Sequence, residues 1–187
     1  EELQWYQAKN ASVADGLLII EARRERVTNP NYSPSGSDWK TQRQYAEYTS
    51  ASLITAGLQT FQYGRFEMRA RINTDKGMWP AFWMLGNNIT TVGWPKCGEI
   101  DVMEYSPGVV GMYKVFGTVH YPSTTGSHLY TSLGDKIDSS VVSSFHTYGV
   151  KWDSTSISLY IDGKKVGTTY TKKSDTLWPF SQPFFII

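Results

Sequence analysis

Glu99, Asp101 and Glu104 place three carboxylates within six residues, in the stretch GEIDVMEY at 98–105. Ile100, Val102 and Met103 stand between them, an apolar, β-branched context unlike that of an ordinary solvated loop. Acids gathered on one surface repel each other, and their proton affinities move apart. Cleavage of a glycosidic bond needs that condition. One carboxylate attacks as nucleophile while a carboxylic acid protonates the leaving oxygen, and in a retaining enzyme the two stand about 5–5.5 Å apart. Two other readings fit the same residues: a solvated edge strand with no reaction to perform, and an oxygen-ligand cluster for calcium.

The backbone must bring the three acids to one face. Successive side chains of a strand point to opposite sides, so Glu99 and Asp101 share a face and Ile100 points into a core. Glu104 has the wrong parity. One extra residue, absorbed as a β-bulge around Val102 and Met103, returns it to the face of the other two. On a flat strand the two glutamates would lie roughly four steps of about 3.3 Å apart, or about 13 Å. A bulge raises local twist, which lets long side chains lean together. Asp101 sits between them, where it can share a proton with one and set the two affinities apart.

The elements that must carry this strand are themselves strands. Residues 17–23 are strand-like after the Asp15-Gly16 turn, and 28–46 read as a surface excursion rich in Asn, Pro, Ser and Gly, with Trp39 and Tyr45 as aromatic members. Residues 49–55 read as a short strand. From 63 the alternation sharpens: Tyr63, Arg65, Glu67, Arg69 and Arg71 on one face, Phe66, Met68, Ala70 and Ile72 on the other. Trp79, Ala81, Trp83 and Leu85 share the next parity, as sugar platforms or as half-core residues. Strands are predicted over 112–121, 145–152 and 157–162, the last turning at Asp162-Gly163. Residues 123–144 read as polar and rich in Ser, Thr and Gly, apart from Leu129, Tyr130, Val141 and Val142. Helical periodicity is nearly absent, so the fold class is all-β, an antiparallel sandwich.

Six segments then carry a resemblance: EELQ at 1–4, YGRFEMRAR at 63–71, GMWPAFWMLG at 77–86, GWPKCG at 93–98, EIDVME at 99–104 and FHTY at 145–148. Together they resemble glycoside hydrolase family 16 in its laminarinase branch, across essentially the whole chain. The resemblance implies a concanavalin A-like jelly roll with a glycan groove on its concave sheet, as one domain over 1–187. It implies Glu99 as nucleophile, Glu104 as acid/base and Asp101 as their assistant. Trp79 and Trp83 become sugar platforms, Trp94 a further candidate, and His120 a neighbour of the acids. Arg69 is either a groove residue or a solvated, salt-bridged one. Glu2 and Tyr6 either touch sugar at one groove end or serve the surface. His146 is expected to order structure. No cofactor is needed for the chemistry, although a structural calcium occurs in many relatives.

The implied substrate is a β-glucan polysaccharide or oligosaccharide cut internally at β-1,3 bonds with retention. The alternatives are an agarase-, carrageenase- or galactanase-like hydrolase, or a non-catalytic β-glucan-binding protein that kept both glutamates. The hydrophobic ramp at 178–187 stops where family domains continue, so the chain is expected to be part of a domain, and a monomer if that domain is complete.

Length and charge agree with these expectations. The 187 residues suffice for one well-buried domain. A net charge of +1 offers nothing to nucleic acid or a membrane surface, and no apolar run approaches a membrane span. A secreted, extracellular protein is expected. Cys97, the lone cysteine, is expected to be a buried thiol with Glu99 disfavouring its thiolate. Sequons fall at Asn10, Asn31 and Asn88.

Overall fold

The first 53 residues lack sustained alternation, and they fold into short strand pairs instead of a broad sheet. The computed structural model describes residues 2–175 and 177–187, with Val110 and Val142 described by backbone alone. The chain divides into two units, Glu1–Leu53 and Ile54–Ile187.

In the first unit the strands are β1 (Gln4–Tyr6), β2 (Ala11–Ala14), β3 (Leu17–Ile20), β4 (Val27–Thr28), β5 (Tyr45–Ala46) and β6 (Tyr48–Ser50). β1 runs parallel to β6, while β2–β3 and β4–β5 are antiparallel pairs. The turn joining β2 to β3 is Asp15-Gly16, both at positive φ (51° and 74°), as a tight hairpin requires. The excursion at 28–46 contains a helical turn, Trp39–Gln42, as well as β5. The strand read at 49–55 is corrected: β6 ends at Ser50, and no strand follows before β7 (Gly64–Ala70). The Asn10 sequon is buried, with its amide donating to Glu21 O and Thr49 Oγ1 at 2.8 and 3.0 Å. That amide is therefore a structural donor.

The second unit continues with β8 (Ala81–Gly86), β9 (Glu99–Tyr105), β10 (Lys114–Pro122), β11 (His128–Ile137), β12 (His146–Trp152), β13 (Ser156–Ile161), β14 (Lys164–Thr171) and β15 (Phe184–Ile186). One sheet has the order β11-β10-β9-β8-β15 and the other β14-β13-β12-β7. All their described pairings are antiparallel. Between them lies the core. Met84, Ile100, Val119 and Leu133 from the first sheet cluster with Val150, Ile157 and Leu159 from the second, all fully buried. Burying each such side chain contributes about 1.5–3 kcal/mol. The antiparallel sandwich expected from the alternation is the observed architecture.

β11 lies in the Ser-, Thr- and Gly-rich stretch at 123–144, for which no strand is predicted. Only Leu133 of its ten residues is buried, because the strand closes the sheet edge and turns most of its side chains outward. An apolar period of two is absent from such a strand.

Candidate active site

The register around β9 contains the bulge directly. On β8, Phe82 pairs with Met103 and Trp83 with Asp101, which leaves Val102 unpaired. On β10, Phe116 pairs with Glu104 and Thr118 with Asp101. Three steps on β9 thus face two on β10, and Glu104 returns to the face of Asp101 while Val102 and Met103 are both buried. Gly117 lies across from this extra residue. A Cβ there would come within 2.8 Å of the Asp101 carbonyl oxygen and 3.0 Å of Leu159, so the close approach requires glycine.

Paired residues on neighbouring strands share a face. One line across the sheet runs Leu85, Glu99, His120, Tyr130, and the next runs Trp83, Asp101, Thr118, Ser132. The acids therefore lie in a mixed polar and aromatic surface on the side opposite the core. Trp79 and Trp94 enter from the flanking loops. The Trp79 indole donates to Glu104 Oε1 at 3.0 Å, and the Trp94 indole donates to Glu99 Oε2 at 2.7 Å. Both rings stay open to solvent, 62% and 47% exposed. Each glutamate is thus held by one aromatic donor whose ring remains available to a ligand.

Asp101 is the buried member, 3% exposed. Its Oδ2 lies 2.9 Å from His120 Nε2, at ion-pair distance but without hydrogen-bond alignment. His120 Nδ1 meets His128 Nε2 at 2.8 Å. Burial, then the charge of Asp101, pushes the Glu99 carboxyl up to about 7. Burial, then the charge of Glu104, raises Asp101 well above the usual carboxylate range, and burial raises Glu104. Three acids that cannot all ionise cheaply share protons as a group.

This has a consequence for stability. A carboxyl whose affinity is raised in the folded state binds its proton more tightly there than in the unfolded chain. Its contribution is fully present below the unfolded value near 4.5 and is lost as pH rises through about 7. The carboxylates held low, such as Glu25, Asp153 and Asp162, act in the window below their ordinary values and do not overlap. Asp101→Asn removes one of the raised groups. The melting temperature of this variant minus that of the parent should become more positive between pH 4.5 and 8. A difference that stays flat or falls over that range would remove Asp101 from the shared-proton group.

The other expected residues lie as follows. Trp83 is on the acid face, half-buried against Leu85, Cys97 and Phe185. Arg69, read as either a groove residue or a solvated one, projects from β7 in the four-stranded sheet, exposed, with its guanidinium 4.3 Å from the Phe145 ring centroid. Glu2 and Tyr6 belong to the first unit, where the Tyr6 hydroxyl donates to Glu2 Oε1 at 3.3 Å and accepts from Gln4. Cys97 is buried, its thiol pushed up to about 11, by burial first and by the Glu99 charge as well. His146 bridges Asp162 and Ser140 at 2.9 and 3.0 Å, an ordering role. His128 and Tyr130 were not legible as site residues, because they lie on the unread strand β11. The one available signal was their shared parity, two residues apart.

Glu99, Asp101 and His120 each bring a ligand atom within 4.8 Å of the others, a group that could coordinate a metal ion. Calcium wants six to eight oxygens. Two carboxylates and an imidazole do not meet that need, so this group does not fit the structural calcium expected from the resemblance.

The family model for glycosyl hydrolases family 16 matches residues 4–187, spanning both units. The chain is 36% identical to a beta-glucanase of Rhodothermus marinus over its full length, covering 63% of that protein. It is 30% identical to glucan endo-1,3-beta-glucosidase A1 of Niallia circulans, again over its full length but covering 27% of that protein. The laminarinase catalytic domain of Thermotoga maritima superposes with a TM-score of 0.80 at 36% identity, covering 99% of this chain and 70% of that one.

Proposed function

The chain belongs to the glycosyl hydrolases of family 16, and from that premise we propose that it is a retaining endo-β-1,3-glucanase acting on laminarin- or curdlan-type glucans. The observation that carries the reading is the bulged strand, which sets Glu99, Asp101 and Glu104 on one face with an indole donor on each glutamate.

Glu99 attacks the anomeric carbon while Glu104 protonates the glycosidic oxygen, and the bond to the leaving sugar breaks. The product is a glycosyl ester of Glu99. Glu104, now ionised, takes a proton from water as that water attacks the same carbon and releases Glu99. Two inversions give net retention. Asp101 holds the shared proton, so that Glu99 attacks as a carboxylate while its neighbour stays neutral. Trp79, Trp94 and Trp83 offer ring faces to pyranose CH surfaces. Secretion accords with a polymeric substrate. Among the described residues no helix is long and apolar enough to cross a membrane.

One panel tests substrate and stereochemistry together. Laminarin should release reducing sugar faster than barley glucan, agarose or β-1,3-galactan, and proton NMR of the first turnovers should show the β-anomer. An initial α-anomer would overturn retention, and faster cleavage of agarose or galactan would overturn the glucan assignment. Retention on immobilised laminarin with no cleavage of any polymer would favour the binding protein.

A further inference from the structure

Neither carboxylate of the Glu99–Asp101 pair is held by the apolar core on its solvent side. Trp94, which donates to Glu99, is nearly half exposed, and His120, which faces Asp101, projects from the open face of β10. Both rings need a support, and one residue touches both. The centroid of the His128 ring stands 4.4 Å from that of Trp94 and 5.0 Å from that of His120, with its plane inclined 22° to the latter. Its Nε2 is 2.8 Å from His120 Nδ1. We propose that His128, on edge strand β11, is the positioning residue that braces Trp94 against Glu99 and His120 against Asp101.

The inference rests on the hydrolase reading above, for which it names a determinant that acts without touching the acids. A bond between two imidazole nitrogens needs one donor and one acceptor, so it couples the tautomers of the two rings. If His120 Nδ1 donates, its Nε2 presents a lone pair to a protonated Asp101. If His128 Nε2 donates, His120 presents N–H to the Asp101 carboxylate. In either state His120 stays aimed at Asp101 Oδ2. The titratable groups facing this pair of rings are Glu99, Asp101 and Glu104 from β9 and Tyr130 from β11. Burial, then the charge of His120, lowers the proton affinity of His128, which favours the neutral ring the coupling needs.

His128 is exposed, so its replacement leaves the core alone. His128→Leu removes the hydrogen bond, whereas His128→Gln keeps one donor and one acceptor. The leucine variant should lower kcat on laminarin by on the order of 10²-fold, the scale of a small misplacement of reacting groups, with KM changed far less. The glutamine variant should recover most of that loss. The combined variant His128→Leu with Trp94→Phe should lose less than the product of the two single losses, because both changes release the same ring.

A second measurement needs no activity. The chain has three histidines, and His146, bonded to Ser140 and Asp162, serves as the reference. Imidazole nitrogen NMR should show the tautomer balance of His128 changing in Asp101→Asn, and that of His120 changing in His128→Leu, with His146 constant. Wild-type kcat in the leucine variant, equal damage in the glutamine variant, or imidazole spectra unmoved by both changes would overturn the proposal. If the parent cleaves no glucan while the spectra respond as described, the hydrolase reading fails and the brace stands.

Discussion

Glu99→Ala is expected to abolish hydrolysis of laminarin, lowering turnover by about 10⁴-fold or more, the scale seen when a covalent nucleophile is lost. Binding should persist, since Trp79, Trp83 and the imidazoles are untouched. The truncation leaves space beside the anomeric carbon and removes one member of the group that shares protons. Glu104 then retains its task of protonating the leaving oxygen, so an external anion can take the place of the missing carboxylate. Added azide should attack from the vacated side and yield the α-glycosyl azide from an activated β-glycoside. A β-azide from this variant would exchange the roles of the two glutamates, and wild-type turnover would place the nucleophile elsewhere.

Glu104→Ala should show a different dependence on substrate. Loss of a general acid costs about 10²–10⁴-fold where the leaving group must be protonated. Natural glucan has such a leaving group, whereas a dinitrophenyl glycoside does not. The first step on the activated substrate should therefore survive, and the Glu99 ester should accumulate because no base activates water. Azide needs no base, so it should restore turnover and give the β-glycosyl azide. The two variants are thus expected to rescue with opposite stereochemistry. Equal loss on glucan and on the activated glycoside would deny Glu104 the acid role. The Trp79 indole loses its acceptor in this variant, so Trp79→Phe is a useful companion. It should weaken the acid step far less than the alanine change.

The carboxylate surface was legible in the sequence because the side-chain period of a strand is two. An inserted Met103 is visible as a broken parity, and the repair it demands, a bulge between Asp101 and Glu104, is the one found in the register with β8 and β10. The sandwich followed from the same period at 63–72 and 157–162, where one parity is apolar. The buried thiol at Cys97 followed from its type and solitude. Tertiary structure decided the rest. Alternation assigns a residue to one side of its own strand, but not to the sheet that strand will join. Alternation therefore leaves Arg69 open between a groove residue and a solvated one, and only the pairing of β7 with β12 puts it in the sheet opposite the acids. β11 was hidden because an edge strand needs only Leu133 in the core, and its pairing with β10 is what carries His128 to His120. The raised proton affinities of Glu99 and Asp101 depend on burial and on the charges of neighbouring acids, and burial does not appear in spacing along a chain.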